Sequence, residues 1–183
     1  MKAEYITIEN LIFPKKDYLF SLNDPNGAVW IKKDANYSDV YILGISSLGA
    51  LKLEKLSKFT LLDIFKNTSK LIENEIFLFL KGFNYEMNLF APFTAKILEI
   101  NPILKECSEE RPVVLTQESV YDEYWIIKLQ YSENLDLSHE WLIPEDKKFE
   151  KLIKMIIKRD KKLRDRCCPN LFDSSVVRRL QSN

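Results

Sequence analysis

The apolar residues of this chain follow a strand period for most of its length and a helical period near the end. Residues 1–27 hold short apolar runs, broken by Pro14 and by the turn signal Asn23-Asp24-Pro25-Asn26-Gly27. Ala28-Val29-Trp30-Ile31 and Val40-Tyr41-Ile42-Leu43-Gly44-Ile45 are rich in β-branched and aromatic residues and read as strands. Lys33-Asp34-Ala35-Asn36 supplies a turn between them, which predicts a hairpin. Leu48, Leu51 and Leu53 suggest a short helix over 46–56. Phe59-Thr60-Leu61-Leu62-Asp63-Ile64 reads as another strand.

A second hairpin is expected further on. Leu71-Ile72-Glu73-Asn74-Glu75 is a polar turn, and Ile76-Phe77-Leu78-Phe79-Leu80 is a continuous apolar run of strand length. Gly82-Phe83-Asn84 predicts a tight turn, with Gly82 free to take positive φ. Residues 85–90 return as the second arm, and Ala91-Pro92 ends the pairing because proline has no amide to donate. Residues 95–100 alternate by two, Asn101-Pro102 stops them, and 125–129 form a last strand. From Glu145 the period changes. Phe149, Leu152, Ile153, Ile156 and Ile157 mark one face of an amphipathic helix, which Cys168-Pro169 should end.

Composition narrows the function classes. The chain has 183 residues, 46% apolar and 30% charged, which suits one folded domain with a real core. Net charge is zero, so no overall basic field points to nucleic acid or membrane. The charge is unevenly placed: residues 145–183 carry +6 and the rest −6. That tail suits an acidic partner; nucleic acid is not expected. No apolar stretch approaches the 18 residues of a membrane span. The opening residues lack a basic region followed by an apolar run, so no signal peptide is expected. Three cysteines make no disulfide framework, and a reducing, cytoplasmic setting is expected.

Candidate chemistry is sparse. Gly27, Gly44, Gly49 and Gly82 form no nucleotide-binding pattern. His139 is the only histidine and has no nucleophile paired with it by motif. With Cys107 it leaves too few ligands for zinc, so no metal site is expected. Cys167-Cys168 form a vicinal pair beside Arg164 and Arg166, which favour thiolate, at a helix end, which opposes it.

The order of these elements resembles the glycine cleavage system H protein, a lipoyl carrier built as a flattened β-barrel, the barrel-sandwich hybrid. Leu43-Gly44-Ile45-Ser46 is similar to the family's V-G-I-T, and residues 56–92 lie without a gap on its L-G-D-I…K…A-P stretch. Leu115-Thr116-Gln117-Glu118-Ser119-Val120-Tyr121-Asp122-Glu123-Tyr124-Trp125 is similar to L-V-N-E-D-P-Y-G-E-G-W. Trp141-Leu142-Ile143-Pro144 and the residues up to Ile156 sit where the family has its L-M-x-A-E-x-Y-E-x-L helix. Phe13-Pro14 and Trp30 resemble the start of longer members, without the histidine of the family's H-x-W. The resemblance spans roughly residues 12–157.

It fails where the family carries its cofactor. The family reads E-S-x-K-A at the hairpin tip; this chain reads Lys81-Gly82-Phe83-Asn84-Tyr85. Asn84 takes the position of the lipoyl lysine, eight residues before Pro92, and has no amine to acylate. The biotin pattern A-M-K-M fares no better against Phe83-Asn84-Tyr85. Lys81 is the nearest alternative acceptor, but it lies three residues from the acceptor position, on the opposite face of a strand.

The resemblance therefore implies a mainly β fold of the H-protein type with a C-terminal helix. Residues 1–144 would form the barrel-sandwich hybrid with an N-terminal extension, 145–168 a helix packed on it, and 169–183 a basic tail. The implied function is a carrier homologue that is not itself lipoylated and not an enzyme, docking on lipoate-dependent or carrier-handling proteins. No cofactor is expected, or lipoate if the resemblance extends to function. The alternative is a working lipoyl, redox or sulfur carrier that uses Lys81 or Cys167-Cys168.

Overall fold

The computed structural model describes residues 4–21, 28–62, 69–83, 85–131 and 141–160. Asn84, His139, Cys167 and Cys168 lie outside the described residues. Thirteen strands and three α-helices are described. The strands are β1 (Tyr5–Ile8), β2 (Leu11–Pro14), β3 (Tyr18–Ser21), β4 (Val29–Lys33), β5 (Val40–Ile45), β6 (Lys55–Leu61) and β7 (Lys70–Leu71). They continue with β8 (Ile76–Gly82), β9 (Glu86–Phe90), β10 (Ala95–Ile100), β11 (Val113–Val114), β12 (Trp125–Gln130) and β13 (Trp141–Leu142). The helices are α1 (Ser47–Leu53), α2 (Pro102–Lys105) and α3 (Lys147–Arg159), with a 3-10 turn at Ser119–Tyr121.

All described pairings are antiparallel. A seven-stranded sheet runs β13-β3-β4-β5-β12-β10-β7, a four-stranded sheet runs β11-β6-β8-β9, and β1 pairs with β2 alone. One core joins them. Trp30 and Leu43 from the larger sheet, Phe77 and Leu80 from the smaller, and Leu48 from α1 are buried together. The architecture is the expected one: mainly β, with sheets that face each other across a core and a helix at the C-terminal side.

The 28–31 and 40–45 runs pair as expected, Ile31 opposite Leu43, and Asp34 closes their turn by accepting the Asn36 amide at 2.8 Å. The expected apolar stripe of α3 is buried at Phe149, Ile153, Ile156 and Ile157, with Leu152 half-buried. Phe149 packs edge-on against Phe13 at 5.0 Å and at a tilt against Phe20 at 4.8 Å. Asp146 caps the helix by accepting the Lys148 amide at 2.7 Å.

Three expectations change. Residues 4–21, read only as broken apolar runs, form three strands. The strand expected over 59–64 begins four residues earlier, at Lys55, because α1 stops at Leu53 and Glu54 turns the chain with φ 58°. The C-terminal helix ends at Arg159, short of Cys168-Pro169, since Asp160 has extended backbone angles.

Candidate functional site

The hairpin of β8 and β9 carries the position on which the functional reading turns. Its arms are in register with Lys81 opposite Glu86, and the Gly82 amide donates to the Tyr85 carbonyl at 2.8 Å. That closing pair leaves two residues between the arms, Phe83 and position 84. The hairpin end therefore falls where the sequence placed it.

The reason for Gly82 differs from the expected one. Its φ is not in the left-handed region; the residue is there for contact. A Cβ at Gly82 would overlap the Leu53 carbonyl oxygen and lie 2.6 Å from Leu53 Cα. The hairpin thus rests directly on the last turn of α1, and the Phe83 amide donates to the Leu53 carbonyl at 3.2 Å. A short helix end, with its unfilled carbonyls, gives the hairpin tip a fixed seat.

Around this seat the side chains divide by face. Leu80 and Gly82 are buried, so Lys81 between them points outward, the opposite-face position that strand parity gives it. Its ammonium pairs with Glu109 at 3.6 Å, an exposed contact of small energy. Phe83 is 76% exposed, an unusual place for an unsupported aromatic. Tyr85 is half-buried, and Lys52 Nζ from α1 lies 5.3 Å from its ring centroid.

Lys52 and Phe83 are the residues that the sequence reading passed over. Lys52 is only 2% exposed, although it is charged. A signal existed: Lys52 follows the fully buried Leu48 by one helical turn, and so shares its inward face. Phe83 had no comparable signal, since an aromatic in a turn is equally compatible with burial.

Two of the stretches that carried the resemblance, 43–46 and 115–125, meet around Trp30. Gly44 lies against its indole, and Trp30 Nε1 donates to the Ile45 carbonyl at 2.7 Å. Trp125 on β12 pairs with Gly44, next to a bulge that follows it in β12. Tyr121, buried, accepts the Ser47 amide at 2.9 Å and donates to the Ile12 carbonyl at 3.1 Å. These contacts place residues 12, 30, 43–47 and 121–125 in one framework.

In overall shape the chain is similar to the crystal structure of a glycine cleavage system H protein from Mycobacterium marinum, with a TM-score of 0.52 and 15% sequence identity. The match covers 80% of this chain and 98% of that one. The chain has the H-protein fold. No protein-family model and no curated protein matches it. On this H-protein fold, the described residues bring together Lys81, Phe83, Tyr85, Lys52 and Glu109 near the β8–β9 tip.

Other candidates carry less. Burial pushes the Cys107 thiol up, away from thiolate. No group of three or more His, Cys, Asp or Glu among the described residues is placed to hold a metal. No described helix is long and apolar enough to cross a membrane. A cavity of about 470 Å³ is lined mainly by Phe59 and Leu61 of β6 and by Ile97 and Ile100 of β10, with Lys105. None of the described candidate site residues is among the residues lining it.

Proposed function

We propose that this chain is an H-protein-like homologue that is not itself lipoylated and serves as a non-catalytic docking or regulatory partner of lipoate-dependent enzymes. The observation that supports this most is in the sequence: on a chain with the H-protein fold, Asn84 stands at the position of the family's lipoyl lysine, eight residues before Pro92. Lipoate is held as an amide on an amine, and Asn84 offers none. The flanks agree with that reading. Lys81 takes the place of an acidic residue, Tyr85 takes the place of a small one, and exposed Phe83 gives the tip an apolar contact of the kind that anchors protein interfaces. Lipoate-dependent or carrier-handling proteins are the partners that this fold suggests.

Intact-mass measurement after co-expression with a lipoate ligase tests the proposal. An unmodified mass is expected, and a lipoyl increment on any lysine would overturn it. The second reading, a carrier that uses Lys81, draws on the outward-facing, part-exposed amine of that residue. In that case the increment would disappear in Lys81→Arg.

A further inference from the structure

The cavity of about 470 Å³ opens where the two larger sheets part. β11 covers β6 only at Lys55 and Leu56, and β7 covers β10 only at Ala95 and Lys96. Beyond those pairs, β6 and β10 are both edges among the described residues. α2 follows β10 and packs beside β6, which brings Lys105, its last residue, to the lining.

The walls are core side chains without a full cover. Phe59 stands opposite Leu80 and Leu61 opposite Leu78, while Ile97 stands opposite Leu129 and Ile100 opposite Ile127. Directly opposed residues share one face of their sheet. All four opposed partners are buried, so this is the core face of both sheets. Phe59, Ile97 and Ile100 are nonetheless only half-buried, and all three line the cavity.

One cation stands in this apolar setting. Lys105 is exposed, and no described carboxylate oxygen comes within 4.0 Å of its ammonium. Lys15, Lys81, Lys128 and Lys154 each have a carboxylate within that distance.

We propose that this cavity is a binding site for a medium-chain monocarboxylate. The hydrocarbon chain lies between Phe59 and Leu61 on one side and Ile97 and Ile100 on the other, and the carboxylate meets Lys105. The volume falls within the range of small-molecule sites, roughly 300–1,000 Å³. The apolar walls favour a hydrocarbon chain, because each methylene they shelter leaves water. The Lys105 ammonium favours an anionic head over a neutral one. A phosphate head would call for several donors, and Lys105 is the one cation among the lining residues. The site is separate from the β8–β9 tip and does not rest on the proposed docking role.

The test titrates the full chain with decanoate, below its micelle concentration, and with 1-decanol as the uncharged counterpart. Isothermal calorimetry gives the affinity, and two-dimensional amide NMR gives the location. Decanoate is expected to bind more tightly than 1-decanol and to shift the amides of β6, β10 and α2, leaving those of β1 and β2 in place. Lys105→Gln should weaken decanoate severalfold and leave 1-decanol unchanged; the side chain is exposed, so the fold is retained. Ile100→Trp fills the cavity and should abolish binding of both ligands, with amide dispersion reporting that the chain is folded. If that variant does not fold, Lys105→Gln alone decides. Absence of decanoate binding, or amide shifts confined to other strands, would overturn the proposal. So would equal affinity for the two ligands, or a Lys105→Gln affinity for decanoate equal to that of the parent chain.

Discussion

Gly44 lies flat against the indole of Trp30. A Cβ at Gly44 would stand 2.5 Å from Trp30 Cε2 and overlap Cζ2. Trp30 is buried and held by its bond to the Ile45 carbonyl, so it has no room to retreat. Gly44→Ala should therefore destabilise the fold by roughly 1–3 kcal/mol, the usual cost of overpacking a filled core. Urea unfolding followed by tryptophan fluorescence measures this, and an unchanged midpoint would refute the account of Gly44 as a packing glycine.

The seat of the hairpin tip predicts a second, more local effect. Gly82→Ala forces a methyl group against the Leu53 backbone, which cannot move without uncapping α1. The expected outcome is loss of the Phe83-to-Leu53 hydrogen bond and faster hydrogen exchange at the Phe83 amide, with strands β4 and β5 still protected. If exchange at Phe83 is unaltered, the tip is not anchored in this way.

A third prediction concerns alkaline pH. Burial is the main reason that Tyr18 is held at about 12 against an ordinary 10.0, and burial moves Tyr121 in the same direction. In the unfolded chain these phenols release their protons first. Above pH 10 the unfolded state therefore binds fewer protons than the native state, and the slope of stability with pH is negative. This contribution is complete below pH 10 and is lost between pH 10 and about 12. Urea midpoints across that range should fall, and Tyr18→Phe should shallow the fall relative to the parent chain. A parallel decline in both proteins would remove Tyr18 from the explanation.

The legible parts of the fold were those with local signals. The β4–β5 hairpin has β-branched runs on either side of an Asx turn, and α3 has a complete apolar stripe. The N-terminal strands had no such signal. The β1–β2 turn uses Glu9 and Asn10 at φ 50° and 64°, with no glycine to mark it. The same omission hid the start of β6, where Glu54 takes a positive φ normally given to glycine. Asn101-Pro102 was read as a strand stop; it is also a helix start, since Asn101 accepts the Ile103 amide at 3.0 Å and proline suits the first turn of α2. At the candidate site, sequence located the hairpin end and the outward face of Lys81. The burial of Lys52 and the support beneath Gly82 depend on contacts between α1 and β8, which no window of sequence contains.

The hydrogen bonds of Ile12 have a consequence for how the chain is made. Its amide is bonded by the Gln117 side chain at 2.8 Å, and its carbonyl by Tyr121 and by Ser47. More than a hundred residues separate Ile12 from Gln117 and Tyr121. During synthesis the β1–β2 hairpin leaves the ribosome long before Gln117 and Tyr121, so the Ile12 amide has no Gln117 partner until residue 117 has emerged. These amino-terminal strands are made well before the partners that secure them at Gln117 and Tyr121.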